Sequence, residues 1–234
     1  MRIDLYLVEH GYFPSRNKAQ EALKNKQVLV NNTVVKPSYV MQETDELTVL
    51  TTTHDVSRSA EKLREALEVF TITFTDKTVL DLGQGRGGFT QVCLERGAAK
   101  VLGVDVGHSQ LHDSLRTDAR VEVYEGVNIK DISTLSLPDI DLVVCDLSFI
   151  SSLSVLQHIT ATGNEFLLLL KPQFETQGNH LKNGVIYQRS VLQELTKKAK
   201  QKIEALGFCV HGIHPCQTKG KTGNQEYMVW FSRC

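Results

Sequence analysis

Charge of one sign, long apolar runs, proline and patterned cysteine are all scarce in this chain, and each scarcity excludes something. Its longest apolar stretches, such as Phe166–Leu170, fall far short of the roughly 20 residues that a membrane-spanning helix needs. Met1–Glu9 carries Arg2, Asp4 and Glu9 where a leader would have a basic start and an apolar centre, so no signal peptide is expected and the expected location is the cytoplasm. The cysteines (Cys93, Cys145, Cys209, Cys216, Cys234) are odd in number and never spaced CxxC. Neither a disulfide framework nor a zinc site is therefore expected, and buried free thiols are the reading. Basic and acidic residues nearly cancel, leaving a net charge of −1; a grip on a polyanion would have to come from a local patch. What remains is an ordinary globular composition, 41% hydrophobic and 23% charged. At 234 residues it has room for one medium α/β domain and one small domain.

The first 50 residues read as the small domain. Leu5, Leu7 and Val8 open a short helical pattern that stops near Gly11, and Pro14-Ser15-Arg16 starts a second, with Ser15 as cap. Ala19, Ala22 and Leu23 recur on one helical face, while Arg16, Lys18, Lys24 and Lys26 occupy the other. Val28–Val30, a tight turn at Asn31-Asn32, Val34-Val35 and then Leu47–Leu50 supply a little sheet. Together with Lys36, the basic residues are offset only by Glu21 within that stretch; a solvated helix face would look the same. The pattern of Arg2, Leu5, Leu7, Gly11, Ser15-Arg16, Ala19, Val28, Val30-Asn31 and Lys36-Pro37 resembles the RNA-binding domain first known from ribosomal protein S-four. That resemblance implies an α+β domain whose Ser15–Lys26 helix lies against an RNA backbone, with Arg2, Ser15, Arg16, Lys18, Lys24, Lys26 and Lys36 as contacts.

A polar linker, 51–56, leads into a second domain, 57–234. Ser57–Phe70 is helical, and Val79–Gly83, Lys100–Val106, Val121–Val127, Leu142–Ser148 and Phe166–Pro172 are apolar strands separated by helical segments. Such alternation predicts a mostly parallel sheet with helices on both faces. Phe208–Pro215 and Glu226–Phe231 have no helix between them and should run antiparallel at one edge.

Between the first strand and its helix lies Asp81-Leu82-Gly83-Gln84-Gly85-Arg86-Gly87-Gly88-Phe89. Glycines there let the backbone turn sharply and approach a ligand, with helix N–H groups facing it. Asp105 ends the next strand, where a ribose would be received. Alone, the motif fits a nicotinamide cofactor as well as S-adenosylmethionine. Asp81 favours the second, because a carboxylate suits a cationic amino-acid moiety and repels a pyrophosphate. A seven-stranded Rossmann-like sheet with an antiparallel last strand points the same way. Asp118 and Asn128 are candidates near the adenine.

Four charged residues bracket the expected crevice: Lys62 on the entering helix, Asp146 ending the fourth strand, Lys171 ending the fifth and Glu226 opening the last. A lysine after Leu167–Leu170 is unexpected in a core strand, since an ammonium in apolar surroundings costs desolvation energy unless paired. Val56-Ser57-Arg58 with Lys62-Leu63, Gly87–Thr90, Val104–Gly107, Asp146–Ser151, Lys171–Glu175 and Gly223–Tyr227 resemble the TlyA family, whose members are often labelled hemolysins but are rRNA 2′-O-methyltransferases with an FtsJ-type catalytic domain. The resemblance implies a Lys-Asp-Lys-Glu tetrad at Lys62, Asp146, Lys171 and Glu226. It also implies an S-adenosylmethionine site at Asp81, Gly83, Gly85, Gly87, Gly88, Phe89, Asp105, Val106, Asn128 and Asp146. The target would be ribosomal RNA or a ribosomal subunit, the protein a monomer, and no metal would be required. Gln84-Gly85-Arg86 departs from the family's Ala-Ser-Thr, which would make the loop more flexible and cationic. Tyr187-Gln188-Arg189 replaces a His-Asp-Pro-like segment, and Lys219-Gly220-Lys221-Thr222-Gly223 lacks the usual prolines. Ending at Cys234, the chain resembles the family's shorter form, which implies a cytidine of large-subunit rRNA. Other readings are a catalytically silent RNA binder of this fold and a nicotinamide-dependent dehydrogenase. A pore-forming hemolysin would need a membrane-inserting segment that the sequence does not show.

Overall fold

The computed structural model describes residues 1–13, 15–49, 55–176 and 178–234. Contacts divide the chain into two compact units, Met1–His54 and Asp55–Cys234. The expectations placed on Pro14 as a helix start, on Leu50 as a strand end and on 51–54 as linker fall outside the described residues.

In the first unit, helix α1 (Ile3–Glu9) is followed by α2 (Arg16–Lys24). The Ser15 hydroxyl accepts the Lys18 N–H at 3.4 Å and so caps α2. Strands β1 (Val28–Val30), β2 (Thr33–Val34) and β3 (Leu47–Val49) form an antiparallel sheet with β1 at its centre. Asn31 and Asn32 both take positive φ, 51° and 59°, the geometry of the two-residue turn that matches strand twist. The core is Ile3, Leu7, Phe13, Ala19, Ala22, Leu23, Val28 and Val30. Leu5 does not join it: positions i and i+4 share a helix face, so Ile3 and Leu7 point inward and Leu5 is exposed.

The second unit begins with α3 (Ser59–Val69). It continues through β4 (Thr78–Leu82), α4 (Gly88–Glu95), β5 (Lys100–Asp105), α5 (Asp113–Arg116), β6 (Val121–Glu125), β7 (Leu142–Cys145), α6 (Leu156–Thr160), β8 (Glu165–Leu170), α7 (Pro172–Glu175), α8 (Arg189–Ala205), β9 (Phe208–Pro215) and β10 (Tyr227–Arg233). One seven-stranded sheet results, in the order β6-β5-β4-β7-β8-β10-β9. All of β7 is buried, as is Phe166–Leu170 of β8; an unbroken apolar run marks a strand covered on both faces. One core lies on the side of α3 and α4, with Leu63, Phe74, Phe89, Leu167 and Met228. The other lies on the side of α6 and α8, with Ile159, Leu168, Ile203, Val229 and Phe231.

The two final strands run antiparallel at one edge of the sheet, as expected, with β10 as the inner strand of the pair, hydrogen-bonded to both β8 and β9. It carries Met228, Val229 and Phe231 on both faces and so needs covering on both, whereas β9 is only partly buried and takes the edge. One expectation is corrected: not all the cysteines are free. Cys209 and Cys234 are disulfide-bonded, and Cys93, Cys145 and Cys216 are buried thiols. Strand register places Cys209 opposite Ser232, which brings the two residues together without any short-range spacing.

Candidate active site

Sheet order gathers the site. β4, β7 and β8 run parallel as neighbours, so Gly83, Asp146 and Lys171, one residue beyond each strand, emerge side by side at their carboxyl ends. β10 runs the other way with Tyr227 opposite Leu170, which delivers Glu226 to the same end. These ends border a cleft of ≈ 1030 Å³, large for a single small ligand.

The glycine turn is shaped by contact as well as by conformation. Gly83 has φ +82°, and a Cβ there would stand 2.7 Å from the Asp146 carbonyl oxygen. At Gly85, with φ +49°, the nearest atom to such a Cβ would be 3.9 Å away, so this residue borders open space. Asp105 pins the turn, accepting from the Gly85 N–H at 2.8 Å and the Gly107 N–H at 2.7 Å. Gln84 is almost fully buried, its amide lying over Gly103, where a side chain would collide with it. Its Nε2 donates to Thr90 Oγ1 at 3.0 Å, and that hydroxyl donates to Asp81 Oδ2 at 2.6 Å. The Gln84 departure therefore ties the loop down and does not loosen it.

Lys171 Nζ is ion-paired with Asp146 Oδ1 at 2.5 Å and donates to Ser148 Oγ at 2.6 Å. Lys62 Nζ donates to Glu226 Oε2 at 2.5 Å, and Gln173 Nε2 donates to Glu226 Oε1 at 2.9 Å. Burial pushes the Asp146 carboxyl above its ordinary range, against the pull of the Lys171 ammonium. All four tetrad residues line the cleft, as do Gly83, Gly85, Asp105, Val106 and Asn128.

Other expected contacts stand elsewhere. Asp81 is wholly buried on the α4 side of the sheet and does not line the cleft. Burial pushes its carboxyl up to about 7, opposed by the Thr90 hydrogen bond, and its Oδ1 has no hydrogen-bond partner. Phe89 belongs to the core. A side chain on Gly88 would meet the Ser57 and Ser59 hydroxyls at the start of α3, not a ligand, and one on Gly87 would meet Leu111 and Leu115. Asp118 is held by Arg120 and precedes β6, at the end of the sheet away from the cleft.

Three cleft residues carry no role in the sequence reading. Ser148 and Gln173 each touch a tetrad member. Phe149 lines the cleft with 93% of its surface exposed and φ +66°. An aromatic three residues past a strand-end acid was the available signal, but exposure is a tertiary property.

In the first unit the basic residues are unequal. Arg2 and Arg16 both bind the buried carboxylate of Asp4, at 3.0 and 2.9 Å, and Lys18 pairs with Glu21. Burial raises the Asp4 carboxyl, but hydrogen bonds from Gln20, Arg2 and Arg16 outweigh it and bring it down to about 2. Lys24, Lys26 and Lys36 are exposed and enter none of the ion pairs among the described residues.

Comparison with known proteins adds an independent finding. A family model described as FtsJ-like methyltransferase matches residues 56–233, and one described as S4 domain matches residues 1–47. The chain is 37% identical to the 16S/23S rRNA (cytidine-2′-O)-methyltransferase TlyA of Mycobacterium tuberculosis, over 98% of this chain and 88% of that protein. It is 32% identical to the 23S rRNA (cytidine-2′-O)-methyltransferase TlyA of Campylobacter jejuni, over 99% of each. Among solved structures, a hemolysin-named protein from Streptococcus thermophilus superposes with a TM-score of 0.74 at 28% identity, over 100% of this chain and 88% of that one. Among the described residues no helix is long and apolar enough to cross a membrane.

Proposed function

The chain belongs to the TlyA family of FtsJ-like methyltransferases, and from that premise we propose that it moves a methyl group from S-adenosylmethionine to the ribose 2′-hydroxyl of a cytidine in ribosomal RNA, in the large subunit. One observation carries the reading: two lysine–carboxylate pairs, Lys171 with Asp146 and Lys62 with Glu226, converge from different elements on one cleft. The residues present fit the cofactor. Gly85 leaves open space where a side chain would stand, and Gly83, Gly85 and Asp105 line a cleft with room for a nucleoside and a second group. Gly83, Gly85, Asp105, Val106 and Asn128 would hold the nucleoside, while Asp81, Gly87, Gly88 and Phe89 brace the turn from behind.

When bound, S-adenosylmethionine supplies an electrophilic methyl on a cationic sulfur. A protonated ribose hydroxyl is a poor nucleophile, so a base must remove its proton as the new O–C bond forms and the S–C bond breaks. Lys171 is the base placed to take that proton. Asp146 orients the Lys171 amine through their pair, and its negative charge offsets the cationic donor. Glu226, fixed by Lys62 and Gln173, positions the ribose. The exposed Phe149 ring offers a face on which the target base can stack. Lys24, Lys26 and Lys36 contact the RNA backbone.

The test is to incubate purified full chain with unmodified ribosomal RNA and labelled cofactor, then map ribose methylation by mass. A single labelled cytidine in large-subunit RNA is the expected result. RNA bound but unlabelled would leave a silent RNA binder and defeat the enzymatic reading.

A further inference from the structure

The charges that line the cleft fall into two groups. Lys62, Glu226, Lys171 and Asp146 pair among themselves, and Asp105 is occupied by two backbone N–H groups. Arg58, Arg86 and Lys221 line the same cleft and are exposed, and among the described residues none of the ion pairs includes them. Three cations against the single Asp105 carboxylate leave the cleft positive where it meets solvent. Two of the three, Arg86 and Lys221, sit on loops at the cleft: Arg86 in the glycine turn, Lys221 in the loop before β10.

Both are mounted on anchored backbone. Arg86 Nε donates to the Val56 carbonyl at 3.1 Å, which fixes the root of the guanidinium and leaves the remainder exposed. Lys221 lies in a turn closed by the Gly223 N–H to the Gly220 carbonyl at 2.8 Å. That turn is stapled by Asn224, which is fully buried and bonded to Ile186, Gly184 and Thr222. A cation on a fixed mount loses little freedom when it meets an anion, and a guanidinium suits phosphate oxygens in particular.

We propose that Arg86 and Lys221 form a phosphate grip, holding the RNA backbone at the mouth of the cleft while a ribose is presented to Lys171. The inference rests on the methyl-transfer reading for the identity of the occupant. It goes beyond that reading in assigning sequence-tolerant backbone contacts to the catalytic unit itself, in addition to those of the first unit.

The test compares full-length wild type with Arg86→Gln, Lys221→Gln, the double variant, and Lys198→Gln as a control on α8, outside the cleft. Binding of a fluorescent large-subunit rRNA fragment is followed across a salt series, cofactor binding by calorimetry, and folding by circular dichroism. Each lost phosphate contact should lower the slope of log affinity against log salt by about 0.7–0.9, and the double variant should bind several-fold more weakly at low salt. Cofactor affinity and the Lys198→Gln slope should stay at wild-type values. An unchanged slope in the double variant overturns the grip, as does an equal loss in Lys198→Gln, which would indicate general charge alone. Weakened cofactor binding in Arg86→Gln overturns it too, by moving Arg86 to the cofactor. Ribose methylation is scored separately: slopes that change without methylation uphold the grip and sink the activity, and the converse sinks only the grip. Wild type that fails to bind the fragment overturns both.

Discussion

Setting an ammonium at the end of a leucine strand costs desolvation energy, and at Lys171 the compensation is local. Asp146 stands at 2.5 Å and the Ser148 hydroxyl at 2.6 Å. An ion pair so placed is weak evidence of a stabilising role, and its position in a cleft argues for chemistry. Lys171→Ala should lower single-turnover methyl transfer by about 10²–10⁴-fold, the usual worth of a general base, while calorimetry shows cofactor affinity within a few-fold. A variant that turns over at the normal rate would remove Lys171 as base. The same scale shows what the sequence did not disclose. Ser148, Phe149 and Gln173 lie within legible motifs, yet nothing in their order says that one is exposed and two touch the tetrad. Asp81 was legible as a site acid, but its burial on the α4 side follows from strand facing.

At the scale of elements, the contrast is between a helix face and the charges on it. α2 was legible from Ala19, Ala22 and Leu23 at helical spacing, with a capping serine. Its basic face was legible too, but the availability of that face was not, because Asp4 is contributed by α1. Arg16 spends its charge inside the unit; Lys24 and Lys26 do not. Lys24→Gln with Lys26→Gln should therefore flatten the salt dependence of RNA binding by about 1.5 in log–log slope, with no change in melting temperature. An unchanged slope would make this face a merely solvated one. β10 offers the same lesson in a sheet. Its apolar residues on both faces imply a covered strand, but only pairing with both β8 and β9 shows that it is internal and that Glu226 reaches Lys171's end.

At the scale of the molecule, each of the two units has its own core, and the first depends on a buried carboxylate. The Asp4 carboxyl lies below its unfolded value, so its contribution is present above about pH 4 and is lost as pH falls toward about 2. Asp4→Asn should destabilise the first unit by on the order of 1–2 kcal/mol at neutral pH, discounted because both guanidinium partners are half-exposed. It should also remove that unit's loss of stability between pH 4 and 2. Hydrogen exchange read on peptides from Ile3–Val30, with Leu80–Leu102 as internal comparison, measures both; wild-type protection in the variant would mean that Asp4 bears no such load.

The amino-acid order alone determined the local facts, because these depend on neighbours in the chain: helix faces, strand runs, the Asn31-Asn32 turn, the glycine loop and the presence of acids and lysines at strand ends. Folding in three dimensions decided what depends on residues far apart in sequence. Strand order set β10 inside the sheet and joined Cys209 to Cys234. Facing sent Asp81 and Phe89 behind the turn, and burial separated the charges already paired from those left for a ligand. Pairing across a sheet and exclusion of water are properties of neighbours in space, which a linear spacing does not encode.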